Sequence, residues 1–231
     1  MRREKTPAEQ RGGGHMRRGW MVFMLTLGIA ACAAPPAPPP PVKAPPPPPQ
    51  VSRPPQPPAG VDPAYELPAK DGDGRFLTPN IGLGPLETLF NVRSALNVAA
   101  LSCVTSANTA PRDGYNRFLK LHKSVLAKAN KAIDAKYRRE HGSQGLRVRD
   151  SRMTRLYNHY AYPPVKGAFC AKTARYLTAA NAMASKDLET WSLGALADIE
   201  QDFQDHFRRI EAFQTELRDW HQKQQMAGLS R

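Results

Sequence analysis

The sequence has few cysteines and few aromatic residues, and it lacks the motifs of common metal and nucleotide sites. Its 231 residues include three cysteines, and no two are spaced as in a zinc or covalent haem motif. There is no His-Glu-x-x-His, no Glu-x-x-His of a di-iron bundle and no glycine-rich phosphate loop. Asp202 and His206 come nearest to a ligand pair, and we expect His206 to be a hydrogen-bonded core residue. We therefore predict no metal, no cofactor and no nucleic-acid partner.

No apolar run in the sequence reaches the length of about 20 residues that a membrane-spanning helix needs. The shorter run Trp20–Ile29 follows Arg17 and Arg18 and precedes two alanines. A basic start, a short apolar run and small residues at the end are typical of a secretory signal peptide. We predict that residues 1–31 are this signal peptide, with Met16 as the natural start.

The end of the apolar run carries one recognisable motif. Ile29-Ala30-Ala31-Cys32 resembles the lipobox of bacterial lipoproteins. The resemblance implies that Cys32 becomes the first residue of the mature protein, with diacylglycerol on its sulfur and an acyl chain such as palmitate on its amine. Two or three acyl chains anchor a protein stably on a membrane. The residue after the cysteine is Ala33 rather than aspartate, which implies the outer membrane, facing the periplasm.

Prolines dominate the next part of the chain. Residues 33–60 are almost wholly proline, alanine and a few polar residues, including the run Pro45–Pro49. Proline fixes φ and removes the backbone donor, so we expect a disordered, extended tether about 80 Å long, at ~3.1 Å per residue. A ligand for a proline-binding module is the alternative. Residues 61–75, with the turn cluster Asp71–Gly74, continue the linker, so we assign residues 32–75 to the lipidated cysteine and linker.

Residues 76–231 show helical periodicity and no sustained alternation of apolar and polar residues, which predicts an all-α bundle of about four helices. We expect helices near 85–104 and 115–140, the second of them ended by His141-Gly142. A third helix, capped by Asp150 or Ser151, runs to about residue 180 with an interruption at Pro163-Pro164, and a fourth runs from a Ser185 cap to about residue 224. The apolar stripe expected on the second helix is Phe118, Leu121, Val125, Ala129, Ile133 and Tyr137. The heptad seam expected on the last is Leu196, Ile199, Phe203, His206, Ile210, Phe213, Leu217 and Trp220.

Two cysteines remain after Cys32. Cys103 and Cys170 both fall on apolar helix faces, and in an oxidising periplasm such a pair predicts a disulfide. Two buried free thiols are the alternative. Neither cysteine has a neighbouring His or Asn that would mark a catalytic nucleophile.

The charge of the chain is strongly positive. The formal net charge is +13, and +9 remains after removal of residues 1–31, which hold six basic and two acidic side chains. Residues 112–175 are basic, whereas residues 187–219 are net acidic. Either the acidic helix docks on the basic ones, or the excess charge forms a surface for an anionic polymer or for lipid headgroups.

A cluster of cations and aromatics before the double proline is the candidate for such a surface. Aromatic rings can stack on sugars, and cations can pair with carboxylates or phosphates. Alternatively, the tyrosines belong to the core and the arginines are solvated. The predicted anionic-ligand surface comprises Arg152, Arg155, Tyr157, His159 and Tyr160, extended by Lys123, Lys131 and Arg138.

Two functions fit these features. The first is a non-enzymatic envelope lipoprotein whose bundle binds cell-wall polymer, anionic lipid or an envelope protein. The second is an enzyme that acts on the cell wall, or an accessory to one, with Glu87 or Glu200 transferring a proton. The second needs an acid in a concave pocket, and no catalytic signature in the sequence supplies one.

Overall fold

A computed structural model describes residues 53–229 of the chain. The predicted signal peptide, the lipobox with Cys32, and the tether up to residue 52 lie outside the described residues. The all-α prediction is confirmed: residues 53–229 contain six α-helices, two 3₁₀ turns, two isolated β-bridges and no strand. The α-helices are α1 (Pro85–Ser102), α2 (Ala110–Leu121), α3 (Lys123–His141), α4 (Gly145–Tyr160), α5 (Lys166–Ala182) and α6 (Leu188–Leu229).

Helix α1 is the centre of the bundle. It contacts each of the other five α-helices. Eleven of its 18 residues are buried, including the polar Asn91 and Ser94, so it has no solvated face of the usual width. It begins at Pro85, where a missing N–H costs nothing, and Glu87 accepts a hydrogen bond from the Gly84 N–H (3.1 Å).

The second predicted helix is divided into α2 and α3 at His122. The His122 ring is buried and contacts Ser185 Oγ and the Ala180 carbonyl, each at 2.8 Å. The predicted stripe is therefore wrong at two positions, because Leu121 is 48% exposed and Val125 is half-buried. His122 and Leu126 take their places in the core.

The ends of the later helices differ from two predicted caps. Gly142 adopts a φ of 52° and ends α3, as predicted, in a conformation that glycine favours. Helix α4 starts at Gly145 and not at residue 150 or 151, because a glycine there lets the chain approach α3: a Cβ would lie 2.6 Å from the Tyr137 carbonyl oxygen. Ser185 contacts His122 and donates to the Leu121 carbonyl, and α6 starts at Leu188.

The predicted seam of α6 forms one side of the core. Its six positions from Leu196 to Phe213 are buried, whereas Leu217 and Trp220 are half-buried. The interruption at Pro163-Pro164 is a 3₁₀ turn between α4 and α5. Within residues 53–229 no helix combines the length and the apolar character needed to cross a bilayer.

Cys103 and Cys170 lie at disulfide distance. Their Cα atoms are 5.7 Å apart, and they connect the end of α1 to α5 across 67 residues of sequence. The predicted pairing thus joins the central helix to an outer one.

A segment without helix, residues 61–84, packs along α6, and we call it the strap. Val61 and Phe76 are buried, and Phe76 meets Phe207 edge-on at 5.5 Å. The strap also pairs Lys70 with Glu211 (2.6 Å). Its tip is the predicted turn, in which Asp71 accepts from the backbone of residues 73 and 75. The folded part of the chain therefore extends upstream of residue 76.

Candidate functional site

The structure divides the predicted anionic-ligand surface into buried and exposed residues. Tyr160 is 1% exposed, and only 8% of the His159 side chain is exposed, so neither can present a ring to a ligand on the surface. Both belong to the core because α4 packs this face against α6 and the strap, where Phe203 stacks on the His159 ring at 3.9 Å. This part of the predicted surface is wrong.

Arg152 is also turned toward the protein. Its Nη2 donates to the Pro79 carbonyl in the strap (3.0 Å), and its Nη1 is buried. The remaining members of the predicted surface are exposed, and their role in ligand binding stays a prediction. They are Arg155, Tyr157, Lys123, Lys131 and Arg138.

The acidic helix neutralises part of the basic segment. Lys172 of α5 lies between Asp198 (3.0 Å) and Asp202 (2.9 Å) of α6, and Lys128 approaches Glu189 at 3.5 Å. Asp202 is thus bound to a lysine and not to His206. Of the two interpretations of the charge pattern, docking of acidic on basic helices accounts for these cations.

A buried polar cluster joins the strap to the bundle, with the Glu200 carboxylate at its centre. Oε1 accepts hydrogen bonds from Thr78 Oγ1 (2.8 Å) and Gln204 Nε2 (2.9 Å). Oε2 accepts from Asn80 Nδ2 (2.7 Å) and contacts His159 Nε2 (3.2 Å). All four acceptor positions of the carboxylate are in use.

These bonds decide the ionisation of Glu200. Burial by itself raises the pKa of a carboxyl group, but hydrogen bonding and charge from His159, together with Asn80 and Gln204, outweigh it and hold the pKa of Glu200 below its ordinary 4.5. The residue is a carboxylate at neutral pH. A general acid needs the opposite shift.

Tyr160 and Asn80 extend the cluster toward α1. The Tyr160 hydroxyl donates to Asn80 Oδ1 (2.8 Å), which also accepts from Asn91 Nδ2 (2.9 Å). Complete burial, reinforced by the charge of Glu200, raises the pKa of Tyr160 well above 10.0. The phenol therefore stays a neutral donor.

An open cleft of about 410 Å³ lies beside this cluster, between the strap and α6. Leu83, Leu193 and Leu196 supply its apolar surface. Glu200 and Gln204 face it, but their polar atoms are already bonded to strap residues. The cleft can hold a small molecule, but its carboxylate is not available as a proton donor.

Glu87, the other acid considered from the sequence, has a structural position as well. It accepts from the Gly84 N–H at the start of α1, and its second oxygen pairs with Lys136 Nζ at 2.6 Å. It therefore links α1 to α3.

His206 lies in the core, between the rings of Tyr162 and Phe207. Burial, assisted by the charge of Arg209, lowers its pKa below 6.5, so it is neutral at pH 7. Its Nε2 has no hydrogen-bond partner within the described chain, contrary to the expected hydrogen-bonded histidine. In the same part of the chain, no three His, Cys, Asp or Glu residues lie together as a metal site would require.

Comparison with known proteins yields no relative. No family model, no curated protein and no solved structure matches the chain.

The strap side of the polar cluster was not predicted from the sequence. Thr78 and Asn80 lie in a loop without periodicity, more than 100 residues from Glu200 in the sequence. One signal was present: Glu200 and Gln204 are four residues apart on α6, next to the apolar seam positions Ile199 and Phe203. Polar side chains so close to a seam need partners from another element.

Proposed function

We propose that this protein is a lipid-anchored lipoprotein of the bacterial cell envelope whose helical domain is a non-enzymatic binding module. The lipobox-like Ile29–Cys32 stretch is the observation that carries the proposal. By that resemblance, acyl chains on Cys32 hold the chain on a membrane, and the tether separates the anchor from the bundle.

The Cys103–Cys170 pair supports the periplasm as the compartment of the helical domain. Disulfides persist in oxidising compartments such as the periplasm and are rare in the cytosol. The two sulfur atoms lie at bonding distance in a chain that carries a predicted export signal.

The polar cluster supports a binding module over a cell-wall enzyme. Both acids that could transfer a proton are engaged in holding elements together: Glu200 binds the strap, and Glu87 binds the start of α1 and Lys136.

The anchor is tested by replacing the cysteine. We expect Cys32→Ser to move the protein from the membrane fraction to the soluble fraction, because one thioether-linked diacylglycerol and one amide-linked acyl chain are lost together. The neighbouring substitution Ala34→Ser is the matched control and should leave the protein on the membrane. Mass spectrometry of the mature wild-type N-terminus should find acyl mass on Cys32, and an unmodified cysteine there would refute the proposal.

A further inference from the structure

A second concavity lies on the side of α1 that faces α2 and α3. It is a groove of about 350 Å³ that contains two cations, Arg93 from α1 and Lys123 from α3. Its lining residues are Arg93, Leu119, Lys123, Leu126, Ala127 and Asn130.

Arg93 is the cation that the central helix contributes to this groove. Its side chain is partly buried, and its Nε is fully buried without a hydrogen-bond partner in the described chain. Its guanidinium lies beside the Tyr115 hydroxyl: burial raises the pKa of that hydroxyl, and the charge of Arg93 and a hydrogen bond from it oppose the rise. No carboxylate within residues 53–229 forms an ion pair with Arg93. A desolvated cation is costly unless an anion or a set of acceptors compensates it.

Lys123 brings a second cation to the groove, from the start of α3. Two acids on or beside α3 pair with other cations, since Asp134 pairs with Arg149 at 2.7 Å and Glu189 approaches Lys128 at 3.5 Å. Lys131 lies one turn after Ala127 on the same side of α3 and is exposed. The groove therefore has a positive interior and a positive rim.

We propose that this groove binds a phosphate ester. Arg93 lines the groove, and the donors of a guanidinium match phosphate oxygens, while Lys123 adds a point charge from the adjoining wall. A phosphate monoester carries nearly two negative charges, and every phosphate ester has at least two unesterified oxygens that can accept from two cations at once. Leu119, Leu126 and Ala127 provide an apolar wall for the organic part of the ester.

This inference rests on the proposed function only in treating the bundle as a binding module. It combines Lys123, a member of the predicted anionic-ligand surface, with Arg93, which was not among the residues predicted from the sequence. Phosphate esters reach an envelope protein either as lipid headgroups or as free and polymer-borne groups, and both offer the same unesterified phosphate oxygens to Arg93 and Lys123.

The test uses the full-length chain with Cys32→Ser, so that acyl anchoring cannot contribute to membrane binding. Isothermal titration calorimetry with glycerol 3-phosphate measures the group itself, with glycerol as the neutral comparison. We expect Arg93→Gln to weaken binding at least about tenfold, because it removes charge-assisted hydrogen bonds. Lys123→Gln should weaken it less, and Lys166→Gln, at the far end of α5, should stay within about twofold.

A vesicle arm separates the two sources. Binding to phosphatidylglycerol vesicles is measured by flotation. If the variants lose vesicle binding in the same order as they lose glycerol phosphate binding, the ligand is a lipid headgroup. If the protein binds glycerol phosphate but not the vesicles, the ligand is a free or polymer-borne ester. Either result supports the site. Absence of glycerol phosphate binding overturns the proposal, as does an equal loss in Lys166→Gln. If Arg93→Gln fails to fold by circular dichroism, the exposed Lys123→Gln still decides the outcome.

Discussion

At the scale of single residues, Glu200 shows why a carboxylate beside a cleft need not be catalytic. Strongly perturbed carboxyl groups are common at active sites, where burial raises the pKa of an acid. Here four side chains meet the two oxygens, and the pKa is lowered instead. The charge is thus retained inside the protein, and its bonds fix Thr78 and Asn80 to α6.

We predict that Glu200→Gln destabilises the fold by about 2–4 kcal/mol, because an amide group turns two donors toward groups that themselves donate. The matched control is Glu211→Gln, whose exposed pairing with Lys70 should contribute less than about 1 kcal/mol. Urea unfolding at pH 7 measures both values. Equal effects of the two substitutions would contradict the role assigned to Glu200.

The same residue predicts a dependence of stability on pH. Because its pKa in the folded state is lower than 4.5, Glu200 contributes stability that is complete above that pH and is lost as the pH falls toward the folded-state pKa. The free energy of unfolding of the wild type should therefore decrease below about pH 4.5, and more steeply than that of Glu200→Gln. Asp71 and Asp198 also have lowered pKa values but are present in both proteins, so the difference isolates Glu200.

At the scale of helices, apolar periodicity predicted the class of fold and most of the core. The α6 seam is buried from Leu196 to Phe213, since its pattern depends only on local spacing. The break at His122 could not be predicted, because its cause is a contact with Ser185 and Ala180 about 60 residues away. The predicted surface failed at His159 and Tyr160 for the same reason: their partners lie in the strap and α6.

The disulfide is a prediction at this scale, since it links α1 to α5. Replacing both Cys103 and Cys170 by serine should lower the free energy of unfolding by about 4 kcal/mol, from loss of a closed loop of about 68 residues. Urea unfolding of the oxidised protein and the double variant measures the difference. Native protein should also run differently on reducing and non-reducing gels, and two alkylatable thiols in unreduced, unfolded protein would contradict the pairing.

At the scale of the whole molecule, the boundary of the folded domain is the main difference from the sequence-based picture. The boundary at residue 76 was predicted from where helical periodicity sets in, and the strap has no such periodicity. Phe76 exchanges two backbone hydrogen bonds with the Gln204 side chain, both at 2.9 Å, and Gln214 donates to the Tyr65 carbonyl at 2.7 Å. Side chains of α6 thus replace the partners that a neighbouring strand would supply.

We predict that the domain depends on this strap and not on the tether. A chain that starts at residue 53 should unfold in urea within about 1 kcal/mol of the mature protein, because the strap and all six helices are retained. A chain that starts at residue 77 loses the buried Val61 and Phe76 and both hydrogen bonds of Phe76 to Gln204, and it should be at least about 3 kcal/mol less stable. Far-ultraviolet circular dichroism during urea unfolding measures all three proteins. Equal stability of the two shortened chains would show that the strap merely lies on the bundle, and that the boundary expected at residue 76 describes the cooperative unit correctly.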